Sequence, residues 1–275
     1  FMLPKPHVNN DHVLRYLTGR GIDSEGLAYY VQSGRLYEDE RHNCVFVGFG
    51  NSGKARYAML RSSSPTSMYL REVDGSDKRY AFALPFRHDV DTVYLFESAI
   101  DLLSFATMRK NTWQQFNYLS LSGVYQPRQT LSETPLPVAL AQHLHDRPHV
   151  SRVVLCLDND EAGRLAARTI RALLPERYDA ELLLPDKGKD YNRQLQIERG
   201  ISPAVTCLNC DAATARDEMQ ATKLQFGKTD GILAFHGYQS FTPGETDAET
   251  AHKIGVELAE RLWPDYQVVV GTHLN

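Results

Sequence analysis

The sequence lacks any long apolar run, since no stretch of about 18 apolar residues occurs that could cross a membrane. It also lacks an N-terminal signal peptide, and only four of its 275 residues are cysteine. These absences predict a reduced, cytoplasmic protein with no membrane partner. The formal net charge is -4, so no overall attraction draws the chain to a polyanion. Nucleic acid would have to be bound by a local basic patch or through metal ions.

The four cysteines do not form a complete metal motif. Cys44 and Cys156 lie in apolar, strand-like runs, where cysteine usually serves as a small hydrophobic residue. Cys207 and Cys210 have the spacing of half a zinc site, but no second CxxC pair or paired histidine motif completes it. The cysteines therefore favour no metal site.

The chain contains three segments of different pattern. Residues 1–88 are predicted to form a small α+β module with two short helices and a β-hairpin. Residues 89–200 alternate strands with helices, which predicts an α/β domain with a mostly parallel sheet flanked by helices. Residues 201–275 are predicted to form an α+β segment with helices at 211–227 and 247–263 and strands at 231–241 and 266–274. The first residue, Phe1, indicates a fragment of a longer protein.

Acidic residues follow three of the predicted parallel strands. Glu97 comes directly after TVYLF, Asp158 and Asp160 follow VVLCL, and Asp190 follows the fourth strand. Parallel sheets bind ligands outside the carboxyl ends of their strands. Asp158 and Asp160 could converge on one hard cation while Asn159 points elsewhere, and Mg²⁺ prefers such oxygen ligands.

Helix capping is the alternative explanation for the acids that follow VVLCL. Asp158 and Glu161 fit a variant of the capping box, and acids favour a helix N-terminus. Capping needs one carboxylate, however, and it explains neither Glu97 nor Asp101, which we expect to face each other at i, i+4. Acids at the ends of two separate strands therefore favour a metal site.

Four motifs together resemble a Toprim domain, the metal-dependent catalytic fold of bacterial primases, topoisomerases and small nucleases. They are VYLFESAIDLLS, LSLSG, VVLCLDNDEAGRLAA and GKDYN, and they follow the order and spacing of that family over residues 90–195. The resemblance implies that Glu97 is the general acid/base. It also implies that Asp158, Asp160 and Glu97 hold Mg²⁺, with Mn²⁺ as a possible substitute.

The resemblance suggests further residues around the metal. Asp101 and Asp190 would be second-rank metal or water ligands. Three basic residues are candidate phosphate contacts: Lys187, Lys189 and Arg164. Toprim domains usually have glycine after the catalytic glutamate, whereas this chain has Ser98, whose side chain could crowd a tight turn. No organic cofactor is implied.

The two flanking segments resemble modules of conjugative elements. YLTGRGID, RLYED, NCVFVG and GSDKRYAF resemble the uncharacterised module that precedes Toprim in such proteins. Residues 210–275 resemble the amino-terminal part of mobilisation relaxases, which nick plasmid DNA with a tyrosine and a histidine-bound metal. Tyr238 and Tyr266 do not occupy the tyrosine motif, and His236 and His273 are lone histidines near the expected site. We expect no nicking activity from this segment, which could alternatively be an ordinary α+β extension.

Two functions of different classes remain open. The first is a Mg²⁺-dependent nucleic-acid enzyme of a mobile or conjugative element. It would act on DNA or RNA and on nucleoside triphosphates, by primase-like nucleotidyl transfer or by phosphodiester cleavage. The second is a non-catalytic DNA-binding or accessory module that works with conjugation-machinery proteins, which Ser98 favours and the intact acid set opposes. Two other functions are disfavoured. A topoisomerase would need a tyrosine-bearing domain, which the sequence does not show. A flavodoxin-like small-molecule binder would need a glycine-rich phosphate loop, which the sequence also does not show.

Overall fold

The computed structural model describes residues 1–63, 69–85, 87, 89–201, 205–211, 214–228, 230, 234–242, 245–246 and 248–272. Contacts within the chain divide it into two compact units, Phe1–Ile201 and Ser202–Leu274. Within the described ranges, no helix is both long enough and apolar enough to cross a membrane.

The first unit opens with a small α+β module, as predicted. Its helices are α1 (Asp11–Gly19) and α2 (Ser24–Gln32). Its strands are β1 (Leu36–Glu38), β2 (Asn43–Phe49), β3 (Ala55–Ser62) and β4 (Leu70–Glu72), paired antiparallel in that order. The residues before α1 lie along this sheet, because the Tyr37 hydroxyl donates to the Pro4 carbonyl and the His7 N–H donates to the Glu38 carbonyl, each at 2.7 Å.

The rest of the first unit alternates strands with helices. The elements are β5 (Thr92–Phe96), α3 (Ala99–Met108), β6 (Asn117–Ser120), α4 (Val138–Asp146), β7 (Arg152–Cys156), α5 (Glu161–Leu173), β8 (Asp179–Leu182) and α6 (Tyr191–Glu198). All four strands are parallel, in the order β6-β5-β7-β8. The α/β fold with a mostly parallel sheet flanked by helices is therefore confirmed.

The sheet and its helices share one apolar core. Every residue of β5 is buried, as is typical of a parallel strand with neighbours on both sides and both faces covered. Tyr191 at the start of α6 packs edge-on against Phe96 of β5 and Phe105 of α3, with ring centroids 5.7 and 5.0 Å apart. These contacts place the start of α6 close to the carboxyl end of β5.

The second unit contains β9 (Val205–Leu208), α7 (Ala215–Gln225), α8 (Ala248–Leu262) and β10 (Val268–Gly271), with β9 and β10 antiparallel. Among its described side chains, the buried hydrophobic ones are Ala215 and Ala259, so this part has little apolar core.

Two predictions for the second unit are wrong. Residues 234–241, which were predicted to form a strand, have neither helix nor strand structure, and residues 231–233 of the same prediction lie outside the described ranges. Among the described residues of this unit, the strand pairing is between β9 and β10. Helix α7 begins at Ala215 rather than at residue 211, and Thr214 directly precedes it. The Glu218 carboxylate accepts bonds from the Thr214 hydroxyl and the Asp211 N–H.

Candidate functional site

The acid cluster lies where the chain reverses direction across the parallel sheet. After β5 the chain adds β6 on one side and then β7 on the other, so the carboxyl ends of β5 and β7 flank the topological switch point. Phe96 pairs in register with Cys156, and Glu97 and Asp158 follow these two residues within two positions. The Asp158 N–H donates to Glu97 Oε1 at 3.2 Å. Two predicted site residues are therefore in direct contact.

Asp160 caps α5 and shares a lysine with Asp158. Asp160 Oδ1 accepts the Gly163 N–H at 2.9 Å, so the expected capping role is real, but Asp160 fills it instead of Asp158. Lys189 Nζ lies 3.4 Å from Asp158 Oδ2 and 3.4 Å from Asp160 Oδ2. The bond from Gly163 and the charge of Lys189 hold the pKa of Asp160 below its usual value. An ammonium group thus lies between the two carboxylates.

The loop after β8 brings Lys189 to this position. The Asn159 N–H donates to the Lys189 carbonyl at 2.6 Å, and Asn159 Nδ2 donates to the Pro185 carbonyl at 3.1 Å. Asn159 therefore points towards the loop, away from its two acidic neighbours, as expected. Gly188 has φ +76°, a conformation that favours glycine, and it lets the loop turn just before Lys189.

Gly163 allows α5 to pack closely against the acids. A Cβ at this position would lie 2.1 Å from the Asp158 carbonyl oxygen and 2.9 Å from Glu97 Oε1. Any side chain would push α5 away from the end of β7. Gly163 lies in the run VVLCLDNDEAGRLAA, but its role could not be predicted from the sequence, because a close approach between a helix and a strand end leaves no trace in residue spacing.

Burial and mutual repulsion raise two carboxyl pKa values in the cluster. Glu97 is only 6 % exposed, and its burial, together with the charges of Asp160 and Asp101, raises its pKa. Burial, followed by the charges of Asp101, Glu97 and Asp190, raises the pKa of Asp158 to about 7. The charged forms of Glu97 and Asp158 are therefore disfavoured in this arrangement.

The structure brings the predicted metal ligands near one another without closing them into a tight trio. Within the described ranges, Glu97, Asp158 and Asp160 do not form a group whose three ligand atoms all lie within 4.8 Å of one another. The Lys189 ammonium occupies the space between the two aspartates. The arrangement is an open cluster of carboxylates with an internal cation.

Asp101 and Asp190 lie at the starts of α3 and α6. Asp101 accepts a bond from the Ser98 hydroxyl at 2.5 Å and one from the Asn192 N–H at 3.2 Å. Its burial, and then the charge of Asp190, raise its pKa to about 6. Asp190 accepts the Arg193 N–H at 2.7 Å and caps α6. Hydrogen bonds within the protein thus account for both positions.

Ser98 does not strain the turn after Glu97. Its backbone has φ -124° and ψ 160°, an extended conformation that any residue adopts. Its Oγ accepts the Asp101 N–H at 3.2 Å and forms the N-cap of α3. Serine is therefore compatible with this backbone. Because α3 begins at Ala99, Glu97 precedes the helix and does not share a turn of it with Asp101.

The predicted phosphate contacts have different surroundings. Lys189 pairs with the two aspartates, as described above. Arg164 Nη1 donates to the Asn159 carbonyl at 2.8 Å and to Asn159 Oδ1 at 2.9 Å, and it is exposed. Lys187 is also exposed. Arg164 and Lys187 are therefore both accessible to an anion.

Asn192, the last residue of GKDYN, has a structural role that the sequence analysis did not assign. It is 2 % exposed, and its Nδ2 donates to the Arg20 carbonyl at 3.0 Å and to Ser104 Oγ at 2.9 Å. With its N–H bonded to Asp101, it connects the start of α6 to α3 and to the turn after α1. The position of Asn192 at the end of GKDYN was the feature of the sequence that could have predicted this structural role.

Among the described tyrosines and histidines singled out in the second unit, His236 and Tyr238 are in contact. Tyr238 and Tyr266 are exposed, and the His236 ring lies 4.4 Å from that of Tyr238. His273 lies outside the described residues. The sequence analysis missed His252, which is hydrogen-bonded to Thr206 Oγ1 at 2.7 Å and to Thr272 Oγ1 at 2.9 Å.

Three family models match successive parts of this chain. A model described as "Protein of unknown function (DUF3991)" matches residues 15–86. The "Toprim-like" model matches residues 94–195, which contain the acid cluster. The relaxase model described as "MobA/VirD2-like, nuclease domain" matches residues 191–275.

Individual proteins also match parts of this chain. "Protein rlx" of Staphylococcus aureus is 46 % identical over 68 residues, which is 25 % of this chain and 21 % of that protein. This chain therefore spans about a fifth of the length of that relative. "Uncharacterized protein MG010 homolog" of Mycoplasma pneumoniae is 28 % identical over 191 residues, covering 67 % of this chain and 82 % of that protein.

Among solved structures, the primase fragment of the bacteriophage T7 primase-helicase protein is similar to this chain. The similarity covers 67 % of this chain and 68 % of the primase fragment. The sequence identity is 16 % and the TM-score is 0.48.

The family matches, together with the parallel sheet and the acids at its switch point, define the domain organisation of the chain. It combines a DUF3991 module, a Toprim-like domain and a segment of a MobA/VirD2-like relaxase nuclease domain.

Proposed function

We propose that this chain is a Mg²⁺-dependent nucleic-acid enzyme of a mobile or conjugative element that performs phosphoryl transfer at Glu97, Asp158 and Asp160. The observation that carries the proposal is the contact between Glu97 and Asp158 at the switch point, where both carboxyl pKa values are raised. Excess negative charge in such a crevice is what a divalent cation would neutralise. The Toprim-like match over these residues supports the same chemistry.

The donor set fits Mg²⁺ or Mn²⁺. Carboxylate oxygens are the hard ligands that both ions prefer. Asp160 uses Oδ1 for the helix cap, while its Oδ2 faces Lys189. The Lys189 side chain is 62 % exposed, so it can move into solvent when the carboxylates bind a metal ion. A bound divalent ion supplies the positive charge that offsets a phosphoryl group in transfer.

Glu97 is the candidate general acid/base. Its raised pKa brings proton exchange nearer to neutral pH, as general acid/base catalysis requires. The Asp158 N–H holds one of its carboxyl oxygens in place. Arg164 and Lys187, both exposed beside the cluster, would contact the phosphates of a DNA or RNA strand or of nucleoside triphosphates.

The accessory-module alternative is weaker once the local geometry is known. Its main support was that Ser98 could crowd the turn after Glu97, and the extended Ser98 backbone removes that objection. Primer synthesis and phosphodiester cleavage both remain compatible with the site. Conjugation-machinery proteins remain the expected protein partners.

Calorimetric titration of Mg²⁺ and Mn²⁺ tests the proposed site. Wild type should bind with a Kd of about millimolar or below, and the Asp158→Asn/Asp160→Asn variant should lose at least about tenfold in affinity. Lys189→Met should bind more tightly, because the competing ammonium is gone. Asp74→Asn, an exposed acid of the N-terminal module, serves as the matched control and should bind like wild type.

Turnover is measured in parallel on labelled oligonucleotides, with and without nucleoside triphosphates, in Mn²⁺. Product formed by wild type and lost in Glu97→Gln would support the proposal. Equal heats from wild type and the double aspartate variant, or no turnover despite metal binding at the acids, would favour the accessory-module function.

A further inference from the structure

A second cluster of ligand side chains lies in the N-terminal module. His7, Glu38 and His42 each offer one ligand atom, and these atoms all lie within 4.8 Å of one another. His7 belongs to the segment before α1, Glu38 ends β1, and His42 lies in the turn between β1 and β2. None of the three was singled out by the sequence analysis, and the proposed function does not use them.

Glu38 is the centre of this cluster. Its side chain is fully buried, and its two oxygens have separate roles. Oε2 accepts the N–H groups of His12 and Val13 at 2.9 and 3.1 Å, which fixes the carboxylate against the start of α1. Oε1 faces the imidazoles, with Nδ1 of His7 at 3.7 Å, Nδ1 of His12 at 3.1 Å and a hydrogen bond to Nδ1 of His42. One oxygen is therefore held by the backbone, and the other is directed at nitrogen ligands.

The backbone also holds the histidines in place. The His7 N–H donates to the Glu38 carbonyl at 2.7 Å, and the His42 N–H donates to the Asp39 carbonyl at 2.9 Å. The ring centroids of His7 and His42 are 4.7 Å apart, and those of His12 and His42 are 4.0 Å apart. The histidine side chains are between 29 and 48 % exposed, so an ion from solvent can reach them.

We propose that His7, Glu38 and His42 bind a divalent transition-metal ion, with Zn²⁺ as the ion that fits best. Two imidazoles and one carboxylate form a set that proteins use for Zn²⁺ with an open fourth position. Ligand atoms around tetrahedral Zn²⁺ lie about 3.4 Å apart, given bonds of about 2.0–2.1 Å. The 3.7 Å between His7 and Glu38 requires only a small adjustment. His12 lies beside the set, with its Nδ1 3.1 Å from Glu38 Oε1.

The donor chemistry separates this site from the acid cluster. Imidazole nitrogen favours Zn²⁺ and related ions, whereas an all-carboxylate set favours Mg²⁺ and Mn²⁺. An ion at this site would fasten the segment before α1 to the turn between β1 and β2. Its effect would therefore be seen as stabilisation of the N-terminal module, independent of turnover at Glu97.

The test uses the untagged full chain with Cys207→Ser and Cys210→Ser, so that no thiol competes for the metal. Zn²⁺ is titrated calorimetrically in excess Mg²⁺, and Co²⁺ is titrated with its visible absorption as the readout. We expect one equivalent of Zn²⁺, a tetrahedral Co²⁺ spectrum and a Tm raised by about 5 °C. His7→Gln and His42→Gln should each weaken binding at least about tenfold.

His145→Gln is the matched control, because His145 is 82 % exposed on α4, away from the cluster. It should bind Zn²⁺ like the parent chain, and circular dichroism should show that all variants are folded. Equal affinities in His7→Gln and His145→Gln, or no Zn²⁺ binding by the folded parent, would overturn the proposal. Zn²⁺ binding that disappears only with Asp158→Asn/Asp160→Asn would also overturn it, by placing the ion at the acid cluster.

Discussion

Glu38 and Glu97 are both buried glutamates at the ends of strands, but their pKa values move in opposite directions. Burial alone would raise the pKa of Glu38, yet hydrogen bonds from His42, the Val13 N–H and His12 outweigh it, so the pKa is lowered. Burial, followed by the charges of Asp160 and Asp101, raises the pKa of Glu97, and the hydrogen bond from the Asp158 N–H does not offset this rise.

The contrast shows that partners, more than burial, decide whether a carboxylate stabilises its surroundings. Glu38 has donors on both oxygens, so the charged form is favoured and holds the N-terminal module together. The charged form of Glu97 is disfavoured, as is typical of functional sites that bind a cation or exchange a proton. The packing of the parallel sheet offsets the free-energy cost of burying the Glu97 carboxylate.

Replacing each glutamate with glutamine should give the largest difference. Glu38→Gln should lower the free energy of unfolding by about 3 kcal/mol, because it removes the charged acceptor of two backbone N–H groups and of the imidazoles. Glu97→Gln should leave it unchanged or raise it by up to about 1 kcal/mol, since it removes one of several repelling charges. Urea unfolding at pH 8 in the presence of a chelator measures both. Losses of similar size would mean that burial, and not the partners, governs the two sites.

Gly163→Ala tests how closely the Glu97 cluster is packed. The added Cβ would collide with the Asp158 carbonyl, so we expect a loss of about 2 kcal/mol in unfolding free energy and weaker Mn²⁺ binding. Gly19→Ala, at the end of α1, is the control, because no heavy atom lies within 4 Å of its added Cβ. That change should stay within about 1 kcal/mol of wild type. Similar stabilities for the two variants would show that α5 can move away without loss.

Asp101→Asn tests how the free energy of unfolding depends on pH in the Glu97 cluster. Folding raises the pKa of Asp101 from 3.8 to about 6, so the folded state binds more protons between these pH values. The stability contributed by Asp101 therefore falls as the pH rises from 3.8 to about 6. Above this range the charged Asp101 lowers the free energy of unfolding by its full amount. The variant should match wild type near pH 4 and exceed it by about 3 kcal/mol at pH 8, as measured by urea unfolding in a chelator. A variant less stable than wild type at pH 8 would contradict the excess of negative charge.

The main acids of the Glu97 cluster could be predicted from the chain alone. Local apolar runs locate the ends of β5 and β7, and a parallel sheet brings those ends to one edge. Finer features were not predictable. The pairing of Lys189 with Asp158 and Asp160 was not expected, because the path of the loop after β8 depends on bonds to Asn159.

The histidine cluster around Glu38 had no signal in the sequence. His7 and His42 meet Glu38 because the segment before α1 pairs with β1, through the bridge between Pro6 and Asp39. The sequence by itself determined the order of the elements and the sheet edge where the acids gather, since local periodicity sets both. Only the tertiary structure decided which donors each buried carboxylate meets, because those donors come from distant segments whose positions depend on packing.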